Sequence, residues 1–423
     1  MDTRQKLVIN GGRRIEGELA VHGAKNSALP ILSAAVLCHG ESIIHNCPQL
    51  TDIDAACRIL TCLGCRCSRS GSTVCVDSSN VCAAEIPESL MREMRSSIVF
   101  LGAVLGRMGR CRLSFPGGCE LGARPIDMHL AALREMGAEI CEEHGCLECT
   151  APAGLHGARI NLGFPSVGAT ENVMLAAVCA DGVTEIHNAA REPEICDLAD
   201  FLNKCGARIS GAGGSVILIE GVQKLSAAEH SVIPDRIAAG TYLCCAAITG
   251  GEMILTRCDA SCMTGFLPLL EAMGCRAYSY GDGKLYLTCR RKLTAPPTIR
   301  TMPYPGFPTD IQAPFMALCT LAEGTSFFVE NIFENRFRHV PELTRLGASI
   351  KVEGRAAVIE GVKRLSGAKV CAAELRGGAA LVTAALAAEG ASEITGLCYI
   401  DRGYESIETA LRSVGADIKR VGR

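Results

Sequence analysis

The sequence contains no tryptophan, and only 4% of its 423 residues are aromatic, so flat ring platforms for stacking bases or sugars are scarce. It also lacks an excess of either charge: 42 Lys and Arg stand against 45 Asp and Glu, a formal net charge of −3. That balance excludes whole-molecule attraction to nucleic acid or to an anionic membrane, so an anionic ligand has to be held by a local cluster of cations. No apolar stretch reaches the ~18–20 residues of a membrane-crossing helix. The opening MDTRQK is polar rather than a basic segment leading into an apolar one, and a cytoplasmic protein is expected.

Apolar residues make up 48% of the chain and charged residues 21%, the balance of an ordinary globular protein. The length is enough for about two to four domains. Cysteine is abundant at 25, but the number is odd and the residues are scattered through apolar runs such as YLCCAAI. A disulfide framework is therefore not expected, and most of these thiols read as small reduced hydrophobes.

One phrase recurs six times: LTCLGCRC, LREMGAEI, LNKCGARI, LEAMGCRA, LTRLGASI and LRSVGADI. Their glycines, Gly64, Gly137, Gly206, Gly274, Gly347 and Gly415, lie 73, 69, 68, 73 and 68 residues apart. A second phrase, an Ala-rich run ending in Gly and followed by alternating apolar residues, interleaves with it six times, from AAVLCHGESIIHN to ALAAEGASEITG. Both predict a helix, a glycine with positive φ where the chain leaves it, and then a strand. Such a unit cannot cover its own apolar face, so the six are expected to share cores as two bodies of three. The crossings between bodies are placed near Gly23 and Lys25 and near His230 to Pro234. This makes residues 1–24 plus 234–423 one discontinuous domain, and residues 25–233 an inserted one with a mobile loop around 114–125.

The phrases GAKNSALPIL, PGGCELGARPIDMH, SVGATEN, NAAREPEI, FPTDIQA, FENRF and DRGYE, in this order and on this repeat, resemble the UDP-N-acetylglucosamine enolpyruvyl transferases of bacterial peptidoglycan synthesis. The resemblance runs essentially from end to end. It implies an α/β (α+β) fold, a two-domain inside-out α/β barrel. Each domain holds three repeated βαβαββ-type units, with helices inside, sheets outside and the active site in the interdomain cleft. The activity it implies moves the enolpyruvyl group of phosphoenolpyruvate onto the 3-hydroxyl of UDP-N-acetylglucosamine, releasing phosphate through a tetrahedral addition–elimination intermediate. This is the first committed step of peptidoglycan synthesis, and no metal or organic cofactor is implied.

Phosphoenolpyruvate carries a carboxylate and a phosphate close together, so its site needs several cations. By resemblance these are Lys25, Arg124 and Arg402, with Arg336 and Arg376 ranked below them. Read alone, Lys25 is a solvated helix-start charge, Arg402 a surface ion pair with Asp401 or Glu405, and Arg336 and Arg376 interdomain salt-bridge residues. Cys119 lies between Gly118 and Glu120 in a glycine-rich loop, where backbone amides and Arg124 favour a thiolate. The resemblance gives it proton delivery to the substrate methylene and makes it the residue alkylated by fosfomycin. Asp310 is the expected base for the attacking hydroxyl. As a plain sequence feature, Thr309 or Asp310 is a helix N-cap before IQAPFMAL.

For the nucleotide sugar the resemblance points to Asn26, Arg95, Arg124, Pro125, Ile126, Ser166, Val167, Gly168 and Ile332. Asp52, Glu192, Asp235 and Arg236 are supporting residues that tie the cleft or hinge together. Glu374 stands where the family usually has Asp, one methylene longer, with reach toward Arg402. Three rival functions are kept open. A metal site is weighed at Cys141, His144, Cys146 and Cys149, or at Cys62, Cys65 and Cys67, against strand cysteines in an edge hairpin. A 5-enolpyruvylshikimate-3-phosphate synthase-like transferase shares the fold and donor, and a catalytically silent paralogue keeps the fold alone.

Overall fold

The computed structural model describes residues 5–94, 96–115 and 126–422. These residues form two compact units, one from residues 5–22 and 234–422, the other from residues 23–94, 96–115 and 126–233. The chain passes between them at His22/Gly23 and at Ile233/Pro234.

Each unit is built around three helices. In the unit that begins at Gly23 they are α1 (Lys25–Ala34), α2 (Phe100–Met108) and α3 (Val167–Ala177). In the other they are α4 (Arg236–Ile248), α5 (Thr309–Cys319) and α6 (Leu375–Ala387). Their sequences are apolar or small on every side, the pattern of a helix with no solvent face. Every residue of α4 after Arg236 is buried, and so is every residue of α5 from Ile311 onward.

Among the described residues there are six four-stranded sheets, three per unit, and one short two-stranded pairing of Leu225–Ser226 with Cys38–His39. Each four-stranded sheet begins with a parallel edge pair and continues through two antiparallel pairings. One example runs Ile299–Arg300, Thr325–Val329, Ala356–Glu360 and Ser349–Glu353. In four of the six sheets the parallel strands directly flank a central helix in sequence, as a crossover requires; in the other two, Glu16–Ala20 with Glu252–Thr256 and Glu41–His45 with Glu229–Ser231, the paired strands lie more than 180 residues apart. Strands such as Val216–Glu220 alternate exposed and buried residues, so one face packs on the core while the other is solvated. The sheets are thus the outer layer and the helices the inner one, as expected.

The six glycines of the first phrase have φ between 93 and 102° at their helix ends. A second glycine set carries a tighter constraint. Gly11, Gly221 and Gly361 follow equivalent strands and donate their amides to Gly390, Gly182 and Gly324, glycines of the second phrase. A Cβ on Gly221 or Gly361 would lie 1.7 Å from the carbonyl oxygen of Ala180 or Ala322. Only glycine allows that approach of backbone to backbone.

The 24 cysteines among the described residues are free thiols, and half of them are fully buried, including the adjacent Cys244 and Cys245 in α4. In the hairpin of Glu139–Glu143 and Cys146–Thr150, Cys149 sits opposite Ile140 with its side chain buried, while Cys141 sits opposite Glu148. The period of two therefore sends Cys149 to the opposite face from Cys141 and Cys146 and splits the ligand set weighed above. Among the described residues no group of three His, Cys, Asp or Glu is arranged to hold a metal ion. No helix there is long and apolar enough to cross a membrane.

Candidate functional site

In the unit beginning at Gly23, Lys25 is the first residue of α1, and its Nζ lies 3.2 Å from Oδ2 of Asp52, in the first turn of the helix Thr51–Cys62. Both are buried, so the lone-lysine reading of a solvated charge is overturned. Asn26 follows, half-buried. Ser166 is the N-cap of α3, its hydroxyl accepting from the Ala169 amide at 3.3 Å, with Val167 and Gly168 opening the helix. Ile126 holds the N-cap position of the helix Asp127–Glu135. Its neighbour His129 packs against Gly168 and accepts at Nδ1 from Asn172 Nδ2 at 2.8 Å.

Sequence reasoning missed Glu171, one turn along α3. Burial, with Glu194 and Glu192 adding repulsion, pushes its carboxyl well above the usual carboxylate range. Its position inside SVGATEN was legible, but its raised carboxyl follows first from burial and then from carboxylates more than twenty residues away in sequence.

In the other unit the polar groups converge on Asp310. It is the second residue of α5, and it is not the cap: Pro308 holds that position and no side chain caps the helix. Instead Arg336 Nη2 donates to Oδ1 at 2.8 Å and Arg376 Nη2 donates to Oδ2 at 3.2 Å. Arg336 also donates from Nε and Nη2 to the carbonyl of Thr309, at 3.2 and 2.9 Å. Both arginines are almost wholly buried, whereas the Asp310 side chain keeps 28% of its surface. The reading of Arg336 and Arg376 as interdomain salt bridges is thus corrected, because they clamp a carboxylate of their own unit.

Glu330, also missed in the sequence, steadies this end of α5. Its Oε1 accepts from the amides of Ile332 and Phe333 at 2.9 and 3.0 Å, and both its oxygens are within hydrogen-bond reach of the Thr309 hydroxyl. Pro30 and Pro314 occupy equivalent places in α1 and α5. Each withholds the amide that the carbonyl of Asn26 or Asp310 would otherwise receive. Both candidate residues therefore sit in a first helical turn whose i→i−4 ladder is interrupted by a proline.

Residues 9–411 match the family described as EPSP synthase (3-phosphoshikimate 1-carboxyvinyltransferase). The chain is 52% identical to a UDP-N-acetylglucosamine 1-carboxyvinyltransferase 2 of Caldanaerobacter subterraneus subsp. tengcongensis, over 98% of this chain and 99% of the relative. It is 49% identical to a UDP-N-acetylglucosamine 1-carboxyvinyltransferase of Trichlorobacter lovleyi, over 98% and 99%.

The chain belongs to the enolpyruvyl transferase family.

Among solved structures, the enolpyruvyl transferase NikO from Streptomyces tendae superposes with a TM-score of 0.89 at 25% identity, covering 100% of both chains. EPSP synthase from Acinetobacter baumannii gives 0.77 at 18% identity, covering 99% and 100%, a likeness of fold.

Against this enolpyruvyl transferase background, four of the expected site residues, Arg95, Cys119, Arg124 and Pro125, lie outside the described residues. Arg402 lies between the short helix Leu397–Ile400 and the helix Ile407–Ser413. Of the two carboxylates, Asp401 and Glu405, in the plain ion-pair reading of Arg402, Asp401 has both its oxygens engaged by Arg420, at 2.9 and 2.6 Å. Asp235 caps α4, accepting from Ile237 and Ala238 at 2.8 and 2.9 Å, and Arg236 lies over the Tyr304 ring, 5.4 Å from its centroid. Glu192 occupies the N-cap position of the helix Pro193–Lys204.

Glu374, the departure from the family's usual Asp, caps α6: its oxygens accept from the amides of Arg376, at 2.8 Å, and Gly377. Those oxygens serve the helix start rather than reaching toward Arg402. Glu374→Ala is expected to lower stability by about 2 kcal/mol, the upper range for a cap because the site is buried. Glu374→Asp, the arrangement already present at Asp235, is expected to cost less than about 0.5 kcal/mol. Thermal unfolding of the two variants checks the contrast.

Two buried histidines set an acid limit on the fold. Burial, reinforced by Arg336, pushes His339 down to about 3, and burial pushes His129 down to about 4. In the unfolded chain each titrates near 6.5, so below that pH the unfolded state binds the extra protons. The histidines' share of stability is therefore full above pH ~6.5 and is lost as pH falls toward ~4, by up to about 1.4 kcal/mol per pH unit for each. Urea unfolding at stepped pH measures this slope, and His339→Leu is expected to flatten it.

Proposed function

We propose that the chain transfers the enolpyruvyl group of phosphoenolpyruvate to the 3-hydroxyl of UDP-N-acetylglucosamine, releasing phosphate, in peptidoglycan synthesis. The observation that carries this reading is identity of about half over almost the whole chain with relatives named for that activity. The geometry supports it, because the buried Lys25 and the clamped Asp310 supply a cation and a carboxylate at helix starts.

In this reading the Asp310 carboxylate takes the proton of the 3-hydroxyl as its oxygen bonds to C2 of the donor. The Cys119 thiol delivers a proton to the donor methylene, giving a tetrahedral adduct with a methyl group. The Cys119 thiolate takes back a methyl proton, the C–H electrons re-form the double bond as the C2–O bond to phosphate breaks, and that bond's electron pair leaves with phosphate. Lys25, Arg124 and Arg402 hold the donor's two anionic groups, and fixed positive charge where negative charge gathers lowers the barrier. Arg336 and Arg376 orient Asp310. Asn26, Arg95, Arg124 to Ile126, Ser166 to Gly168 and Ile332 bind the nucleotide sugar. Alkylation of Cys119 by fosfomycin and a cytoplasmic location belong to the same reading.

A second reading, transfer to shikimate 3-phosphate, draws on the family model that matches residues 9–411. Phosphate release is measured with phosphoenolpyruvate and either acceptor. Turnover with UDP-N-acetylglucosamine alone is expected. Turnover with shikimate 3-phosphate alone selects the second reading, and none with either selects the silent paralogue.

A further inference from the structure

We propose that Tyr404 is a positioning residue for the Asp310 carboxylate, acting through Arg376; the proposal rests on Asp310 as the base. The hydrogen-bond chain behind it has one consistent direction. Arg376 has donors only, so its Nη1 donates to the Tyr404 hydroxyl oxygen, 3.2 Å away. The Thr241 hydroxyl donates to the carbonyl of Ile237 at 3.1 Å, one turn back in α4. The Tyr404 proton is therefore directed at the Thr241 oxygen, 2.8 Å away.

This chain crosses the three central helices of its unit. Thr241 is on α4, Arg376 on α6 and Asp310 on α5. Thr241, Tyr404 and Arg376 are buried, so no solvent exchange loosens the links. Arg376 Nε has no hydrogen-bond partner among the described residues, which leaves the two Nη contacts to fix how the guanidinium is turned. One of them is Tyr404, and the other is the carboxylate being aimed. The guanidinium also lies over the Tyr404 ring, 5.5 Å from its centroid. A phenylalanine keeps that stacking and removes only the hydroxyl. Tyr404 stands two residues after Arg402 in DRGYE, a motif otherwise read for its arginine.

Steady-state kinetics and thermal unfolding are measured for wild type, Tyr404→Phe, Thr241→Val, Thr241→Ser and Asp310→Asn. Tyr404→Phe and Thr241→Val are each expected to lower kcat by roughly tenfold, the scale of one hydrogen bond, with both KM values within about twofold. Thr241→Ser, which keeps the hydroxyl, is expected to restore wild-type turnover, a rescue that simple packing would not produce. If Tyr404→Phe and Thr241→Val keep full kcat while Asp310→Asn loses it, Tyr404 does not position the base and the proposal fails alone. If Asp310→Asn keeps its turnover, the base assignment fails first. Should Tyr404→Phe not fold, the Thr241 pair decides by itself: equal kcat for Val and Ser overturns the proposal.

Discussion

Asp310→Asn is expected to lower kcat by roughly 10²–10⁴-fold, the range for removing a general base. The affinity for UDP-N-acetylglucosamine is expected to change far less. Asparagine keeps the shape and can still accept from one arginine, but it cannot take a proton from the acceptor hydroxyl. Arg336 and Arg376, both buried, also lose the countercharge between them, so a lower melting temperature accompanies the loss of rate. Rate and binding separate the roles: turnover is followed by phosphate release and affinity by calorimetry. Equal losses in both make Asp310 a binding residue and leave the base to another group.

Gly361→Ala is expected to cost about 3 kcal/mol or more, because its new Cβ would meet a backbone oxygen at 1.7 Å, and no rotamer change relieves a clash with main chain. For a unit of this size that corresponds to a fall of roughly 6–12 °C in its unfolding midpoint. Gly163→Ala serves as the control, since nothing lies within 4 Å of its added carbon and its φ is not in the left-handed region. It is expected to stay within about 0.5 kcal/mol of wild type. Calorimetry on the two variants measures the contrast, and a near-neutral Gly361→Ala would mean the strand end slides where the structure holds it fixed.

The layers of the fold were legible because they follow from local physics. An apolar run at helical spacing followed by glycine and alternation reads the same way at Gly64 and at Gly347, and all six such glycines have positive φ. The candidate site was legible as a set of residues but not as a set of partners. Asp310 reads as a cap because capping is what an aspartate before an apolar run usually does. Its engagement by Arg336 and Arg376 depends on pairings 26 and 66 residues away, which no periodicity encodes. Glu330, Thr241 and Tyr404 stand in apolar surroundings or beside louder motifs, and only packing reveals their hydroxyl and carboxylate contacts. Glu374 was noticed for its length, whereas its work is set by the two helix amides within its reach.

The strand Lys6–Asn10 lies inside a sheet, hydrogen-bonded on one side to Ala391–Thr395 and on the other to Asp417–Val421. At a ribosome adding about 5–20 residues per second, it emerges tens of seconds before either neighbour exists. The unit spanning Gly23 to Ile233 has all its strands in hand long before then, and is free to complete itself while the first strand waits unpaired. Birth order and sheet order are thus opposed in this molecule, and a nascent chain arrested short of residue 391 presents an exposed strand to whatever chaperone or neighbour meets it.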